Sequence, residues 1–392
     1  MENKPIDTFQ ELDAFCKRQR NVDYITVDTE FLRDRTYWPR LCLVQIAGPD
    51  EAAAIDPLAS GLDLAPLYDL MSDQSLLKVF HAGRQDVEIF FHAMGSIPEP
   101  LFDTQVAAMV CGFGDQVGYE ALIAKLVGAR IDKSSRFTDW SNRPLSSKQF
   151  NYAMADVTHL RPAYEKLAAS LEKTDRTSWL DHEMEILMDP ETYRLEPEFA
   201  WKRLKSRNKN RRFHAILREL AAWREREAQS RNVPRNHIIR DDAILEIAAQ
   251  SPTSVDALRG MRALQKGVAN GNTGDAILEA VARGQNMPES ELPVLDRVAP
   301  RPTGLGPVSD LLKVLLKHVT EKHDVAPRLI ANSDDLERIA ADDNADVPAL
   351  KGWRREIFGE HALALKAGRV ALTAKGSLTR VIELTKEPKD AE

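Results

Sequence analysis

Tyr24-Ile25-Thr26-Val27-Asp28-Thr29-Glu30 sets a β-rich apolar run directly against two acids. Tyr, Ile, Thr and Val fit a pleated, half-buried surface, so the run reads as a strand. Side chains alternate faces along a strand, and residues two apart share one. Asp28 and Glu30 therefore project together. Two adjacent carboxylates repel unless something positive lies between them. A hard divalent cation meets that need, and oxygen ligands suit Mg²⁺ or Mn²⁺. Two solvated acids at a strand end would read the same way, because Asp-x-Glu is a common pattern.

Working outward, Leu41-Cys42-Leu43-Val44-Gln45-Ile46 is a second strand and Ala52 to Ile55 a third, which implies an antiparallel meander. A helix over Leu62 to Met71, a strand over Leu76 to Phe80 and a helix over Gln85 to Met94 follow. Strands alternating with helices give an α/β layered class. Asp86, in His81-Ala82-Gly83-Arg84-Gln85-Asp86, follows a strand and opens a helix. An acid there also simply favours the helix macrodipole. Ser146-Ser147-Lys148-Gln149 has the form of a capping box, which predicts a helix from Ser147 to about Leu167 that Pro162 kinks or ends. On that helix Tyr152 and Asp156, four apart, share a face.

With 392 residues the chain is too long for one ordinary core, so two or three domains are expected. No run of eighteen apolar residues is present, so no membrane span is expected. Met1 to Arg20 lacks the apolar centre of a secretory signal. Cys16, Cys42 and Cys111 are far apart and read as buried thiols of a reducing compartment, so a cytoplasmic location is expected. The net charge is −7, yet Lys202 to Arg226 carries ten Lys or Arg residues against Glu219 and Glu225. That segment is either a local basic surface or a solvated helix face.

Thr174 to Phe199 reads as a linker containing a helix, and everything beyond it reads helical. Phe213, Ile216, Leu217, Leu220 and Trp223 make one apolar stripe. The second half also repeats. Asp242-Ala243-Ile244-Leu245-Glu246-Ile247-Ala248 parallels Asp334-Asp335-Leu336-Glu337-Arg338-Ile339-Ala340, and Leu258-Arg259-Gly260 parallels Leu350-Lys351-Gly352 at the same offset. Pro234 and Pro327 precede the copies one residue out of step. Two copies of a small helical domain are expected, joined by a proline-rich linker over Pro288 to Pro307.

Taken in order, Asp28-x-Glu30, Asp86 and Tyr152-x-x-x-Asp156 resemble the three motifs of the DEDDy 3′–5′ exonucleases. The flanks Asp28-Thr29-Glu30-Phe31, Thr36-Tyr37-Trp38-Pro39, Leu41 to Ile46, His81-Ala82-Gly83 and Asp103-Thr104-Gln105 resemble the ribonuclease D family in particular. The repeated helical copies resemble HRDC domains. The resemblance implies an α/β ribonuclease H-like exonuclease domain over residues 1–170, followed by two all-α HRDC-like helical domains at 200–288 and 305–375. Linkers would occupy 171–199 and 289–304, with a tail over 376–392.

It further implies that Asp28, Glu30 and Asp156 hold one metal ion, that Asp28 bridges to a second, and that Asp86 supports that second site through water. Two Mg²⁺ or Mn²⁺ ions roughly 4 Å apart can lower the pKa of a water and stabilise a leaving 3′ oxygen. Tyr152 would orient that water, since an unperturbed phenol titrates near 10 and makes a poor base. Phe31 and Leu32 are candidates to stack or wedge against the terminal base, although core positions suit them equally. His81, His92 and His159 are weaker candidates, because metal would do the activating work. Lys202, Arg203, Lys205, Arg207, Lys209, Arg211 and Arg212 would meet RNA phosphates. Phe213 and Trp223 read as core, which leaves Trp201 as the one aromatic of that segment to consider for base stacking.

The expected activity is that of a 3′–5′ exoribonuclease releasing 5′-mononucleotides from RNA with a free 3′ end, such as precursor tRNA. The chain is expected to be a monomer, and its HRDC-like domains can also meet other RNA-processing proteins. The alternatives are a DNA exonuclease of the same superfamily and an inactive nucleic-acid-binding module.

Overall fold

The computed structural model describes residues 4–265, 267–295 and 304–384. The expected linker at 289–304 and tail at 376–392 fall partly outside the described residues.

The first half is built from α1 (Phe9–Gln19), β1 (Tyr24–Leu32), β2 (Arg40–Ala47), β3 (Ala52–Ile55), α2 (Ala65–Met71), β4 (Leu77–Phe80), α3 (Arg84–Met94), β5 (Leu101–Asp103), α4 (Thr104–Val110), α5 (Tyr119–Leu126), α6 (Ser147–Thr158) and α7 (Leu160–Lys173). The sheet order is β3-β2-β1-β4-β5. β1 pairs antiparallel with β2, and β2 with β3, which is the expected meander. β4 and β5 run parallel to β1 and to each other, with α3 as the crossover between them. β1 is thus the central strand, covered on both sides. Ile25 and Val27 pack with Leu12 and Phe15 of α1 and with Val87 and Phe90 of α3. On the α6 side, the Thr26 hydroxyl donates to the Val157 carbonyl at 2.8 Å.

Two readings of the sequence need adjusting. β1 runs through Asp28 and Glu30 to Leu32, so the two acids lie within the strand and not at its end. The capping box at Ser146 is present, but the predicted single helix is two helices that meet at His159 and extend to Lys173. Pro162 explains the break. It has no N–H for the Thr158 carbonyl four residues earlier, and its ring crowds that carbonyl.

The second half comprises α8 (Asp181–Met188), α9 (Arg211–Ser230), α10 (Arg235–Ile238), α11 (Asp241–Gln250), α12 (Val255–Arg259), α13 (Gly271–Asn286), α14 (Gly306–His323), α15 (Pro327–Ile330), α16 (Ser333–Ala341), α17 (Gly352–Arg354) and α18 (Glu360–Lys366). The repeat is visible in this order. A long helix, a single turn and a helix of ten or nine residues recur as α9-α10-α11 and α14-α15-α16. The one-residue slip of the prolines is real: Pro234 is the N-cap of α10, whereas Pro327 is the first residue of α15.

The two copies dock differently. α9 to α13 enclose their own apolar core, which takes in Tyr37 of the loop after β1, with Trp38 packed against it. α14 to α18 instead share one core with the exonuclease-like half: Leu312, Val319 and Leu329 belong to the same apolar cluster as Phe15 and Val87. The Ala326 N–H donates to the Met109 carbonyl at 2.9 Å. The Trp179 and Trp353 rings stack with centroids 4.1 Å apart and planes within 3°. The segment read as a linker is therefore packed, with Leu180, Met184 and Tyr193 buried in that core. A hairpin of β6 (Val370–Lys375) and β7 (Leu378–Glu383) crosses the expected boundary at 375/376 and lies on α14, where His318 Nδ1 is 3.0 Å from the Thr379 hydroxyl. Among the described residues, no helix is long and apolar enough to cross a membrane.

Candidate active site

A cleft of about 490 Å³ opens where β1, α3, α5 and α6 converge. Asp28, Glu30, Asp86, Tyr152 and Asp156 all line it. One carboxylate oxygen each from Asp28, Glu30 and Asp156 lies within 4.8 Å of the others. Asp86 is not part of that close trio. Its carboxylate accepts the Thr29 hydroxyl from the intervening residue of β1, which fixes the first turn of α3 to the strand.

Each acid has a distinct support. β2 carries one extra residue, Cys42, opposite the step from Glu30 to Phe31. Such a bulge bends a strand and re-aims the side chains beside it. Asp86 arrives through a tight corner at Ala82, whose φ of 55° lies in the left-handed region. Asp103 pays for that conformation by accepting the Ala82 N–H at 3.0 Å and the Gly83 N–H at 2.9 Å. Gly83 admits no side chain, because a Cβ there would fall 2.5 Å from that of Phe80. Asp156 sits one helical turn past Tyr152, whose nearby phenol lowers the proton affinity of its carboxylate. Tyr119 braces the same turn by donating to the carbonyls of Ala155 and Asp156.

Burial raises the proton affinity of all four acids. Asp28 and Asp86 are held well above the usual carboxylate range by burial, with further push from Asp156 and Asp28 respectively. Burial, then Asp28, Asp156 and Asp86, push Glu30 up to about 10. Burial lifts Asp156 to about 7 against the opposing pull of Tyr152 and Arg136. Asp156 Oδ1 is buried without a hydrogen-bond partner among the described residues. A buried orphan oxygen among crowded carboxylates is what a hard cation would satisfy, so the donor set fits a divalent metal.

The remaining predicted residues divide. Phe31 lines the cleft. Leu32 does not. One residue farther on, it turns into the apolar cluster of Cys42, Leu43, Trp140 and Ala153. Of the basic segment, Lys205, Arg207 and Lys209 are exposed, and the Lys202 ammonium lies 4.8 Å from the centre of the Phe199 ring. The others are held internally. Arg203 pairs with buried Glu225 at 3.2 Å. Arg211 donates to the Leu292 carbonyl at 2.8 Å, and Arg212 pairs with Glu289 at 2.9 Å. Trp201 is half-buried against the core of the first helical copy and meets the His214 ring edge-on, so it is a packing residue. The sequence reading missed Arg136 and Phe137 at the cleft. Phe137 is 90% exposed and lies under the Arg136 guanidinium at 5.1 Å. Arg136-Phe137 stands in a polar, glycine-free stretch before the capping box, and an aromatic next to a cation there was the available signal.

Comparison with known proteins gives this geometry a family. The family model described as 3′–5′ exonuclease matches residues 3–172, and the HRDC domain model matches 213–281. The chain is 51% identical to the ribonuclease D of Granulibacter bethesdensis across 95% of both chains. It is 52% identical to that of Nitrobacter hamburgensis, across 96% of this chain and 98% of that one. The chain belongs to the ribonuclease D family. The crystal structure of Escherichia coli RNase D, an exoribonuclease involved in structured RNA processing, superposes with a TM-score of 0.79 at 30% identity, over 93% of this chain and 98% of that one. A protein from Bifidobacterium adolescentis, 21% identical with a TM-score of 0.67, shares the fold. As a ribonuclease D, the chain is a hydrolase with 3′–5′ exoribonuclease activity, acts on RNA, and depends on divalent metal.

Proposed function

We propose that this cleft removes nucleotides one at a time from the 3′ end of precursor tRNA and other structured RNAs, with two Mg²⁺ or Mn²⁺ ions held by the acids. The observation that carries the reading is the meeting of Asp28, Glu30 and Asp156 oxygens within 4.8 Å, with the Tyr152 phenol on the same helix face. Asp28, Glu30 and Asp156 would hold one ion, and Asp28 with support from Asp86 the other. The bound ions supply Lewis acidity at the scissile phosphate and make water available as a nucleophile.

The protein's own groups do the rest. Burial and the neighbouring acids push the Tyr152 phenol above its ordinary range, so it keeps its proton and orients water without acting as a base. Phe31 and Phe137 flank the opening with apolar surface for a terminal base. Arg136 sets a positive charge beside the acids, where a phosphate enters. Exposed Lys202, Lys205, Arg207 and Lys209 of the first helical copy would track the RNA backbone without reading sequence.

The proposed division places the exonuclease domain at 1–170 and the HRDC-like copies at 200–288 and 305–375. The copies also offer surfaces for other RNA-processing proteins. We assign the chain to the cytoplasm as a monomer. Digestion of RNA labelled at the 3′ or the 5′ end tests polarity: release of labelled mononucleotide at once from the 3′ label, and only late from the 5′ label, is expected. Asp28→Asn should abolish turnover and leave RNA binding intact. Full turnover in that variant would overturn the site.

A further inference from the structure

His81 lines the cleft beside the acids, yet the mechanism above gives it no task. Its hydrogen bonding favours one tautomer. Thr104 Oγ1 lies 3.0 Å from the Phe80 carbonyl, and a carbonyl can only accept, so the hydroxyl proton points there. His81 Nδ1 lies 3.0 Å from the same Oγ1, and the tautomer that donates to it completes the chain from ring to hydroxyl to carbonyl. Burial lowers the affinity of the imidazole for a second proton, and this outweighs the opposing pull of Asp103 and the Val117 carbonyl. The ring is thus neutral with its proton on Nδ1, and Nε2 carries a bare lone pair. That Nε2 is buried and has no hydrogen-bond partner among the described residues.

A buried acceptor without a donor needs one from something that enters the cleft. A phosphate oxygen cannot serve, being an acceptor itself. A shared cation is a poor match, because the cluster of candidate ligands among the described residues contains Asp28, Glu30 and Asp156 and not His81. A nucleotide brings two kinds of donor, base N–H groups and sugar hydroxyls. An enzyme that shortens RNA of any sequence meets bases whose donors sit at different places. The ribose hydroxyls are the donors common to every nucleotide.

We propose that His81 Nε2 accepts a hydrogen bond from a ribose hydroxyl of the 3′-terminal nucleotide and so acts as a specificity-determining residue for the sugar. The assignment rests on the reading that the acidic cleft holds the RNA 3′ end. Thr104 is the positioning residue behind it, because its hydroxyl keeps the acceptor nitrogen bare. If the hydroxyl is the 2′ one, the contact separates RNA from DNA. If it is the 3′ one, the contact separates free ends from blocked ends.

The test is single-turnover kcat/KM on oligonucleotides whose last residue is ribo, 2′-deoxy or 3′-deoxy, with wild type, His81→Phe and His81→Gln. In wild type, loss of the hydroxyl that His81 reads should cost about 5- to 10-fold, the worth of one hydrogen bond. In His81→Phe the same removal should cost almost nothing, and His81→Gln, which keeps an acceptor, should restore part of the penalty. Equal penalties in wild type and His81→Phe for both hydroxyls would overturn the proposal. So would a uniform drop on every substrate, which would assign His81 to the attacking water or to the fold. Should His81→Phe not fold, wild type alone decides, with amino or fluoro groups at the 2′ and 3′ positions. Only the amino group donates, so it must outpace fluoro at one position, and parity at both sinks the idea. Asp28→Asn run alongside separates the two levels. If its activity survives, the site reading fails; if it is dead but no hydroxyl couples to His81, only the His81 assignment fails.

Discussion

Tyr37, in the loop that follows the acid-bearing strand, gives its phenol hydrogen to Glu225, a carboxylate with no exposed surface on α9. Arg235 approaches the same carboxylate at 2.6 Å, Arg203 at 3.2 Å, and Gln229 reaches the Tyr37 oxygen at 3.2 Å. The Trp38 N–H meets Asn232 at 3.0 Å. Thr36-Tyr37-Trp38, singled out in the sequence as a family signature, is thus a clasp holding the first helical copy against the acid-bearing strand.

Glu225→Gln should destabilise the chain by about 3 kcal/mol, toward the low end for a buried charge pair, because both arginines keep a solvent-facing side. Tyr37→Phe should cost about 1 kcal/mol, the loss of one hydrogen bond. Urea denaturation measures both. A Glu225→Gln chain that unfolds at the parent's midpoint would contradict the clasp.

Metal and pH should act together on stability. The Asp156 carboxyl, near 3.8 when unfolded, releases its proton near 7 in the metal-free fold. Between those values the folded chain holds the extra proton, so stability is full below the lower value and falls as pH climbs through the higher one. Cation binding needs the ionised acids and offsets the loss. The rise in Tm on adding Mn²⁺ should therefore be larger near pH 8 than near about pH 5.5. Asp156→Asn should flatten the difference, and thermal melts across pH with and without Mn²⁺ would expose a pH-independent rise.

Tyr152→Phe should lower single-turnover kcat by about 100-fold, the scale of a misplaced reactant, with little change in RNA affinity. The pH profile should keep its shape, because the phenol is held protonated. A profile that lost its alkaline limb would instead make Tyr152 the base.

Within the basic segment, stability and RNA affinity should separate. Ala in place of Lys205, Arg207 and Lys209 together should weaken RNA binding, and the log-log salt slope should shrink by about 0.7 per lost phosphate contact. Arg211→Ala and Arg212→Ala should mainly lower Tm, since these side chains tie α9 to the carbonyls and acid at Met287 to Leu292. Filter binding over a salt series, read beside thermal melts, sorts the two groups.

The meeting of Asp28, Glu30, Asp86, Tyr152 and Asp156 in one cleft was legible because these residues sit at periods the backbone imposes: two apart on a strand, four apart on a helix, one in a first helical turn. The repeat was legible because shared offsets survive divergence. β5 was not, since the three residues Leu101–Asp103 are too few for an alternation to register. Nor was the fate of the arginines. Arg203, Arg211 and Arg212 look the same in sequence as Lys205 and Lys209, and only tertiary placement supplies the acid or carbonyl that engages them. The tautomer of His81 likewise depends on Thr104, brought in from another strand end.

Leu312, Val319 and Leu329 lie in one apolar mass with Phe15 and Val87, and this constrains anyone who would shorten the gene. A fragment stopped after α7 would bare part of that apolar mass, leave the Met109 carbonyl without the Ala326 N–H, and tend to clump. The segment that can be spared is the middle one, because α9 to α13 close on themselves and hold the rest chiefly through the Tyr37 clasp. A minimal nuclease would therefore be cut from the middle of the chain and keep its last third.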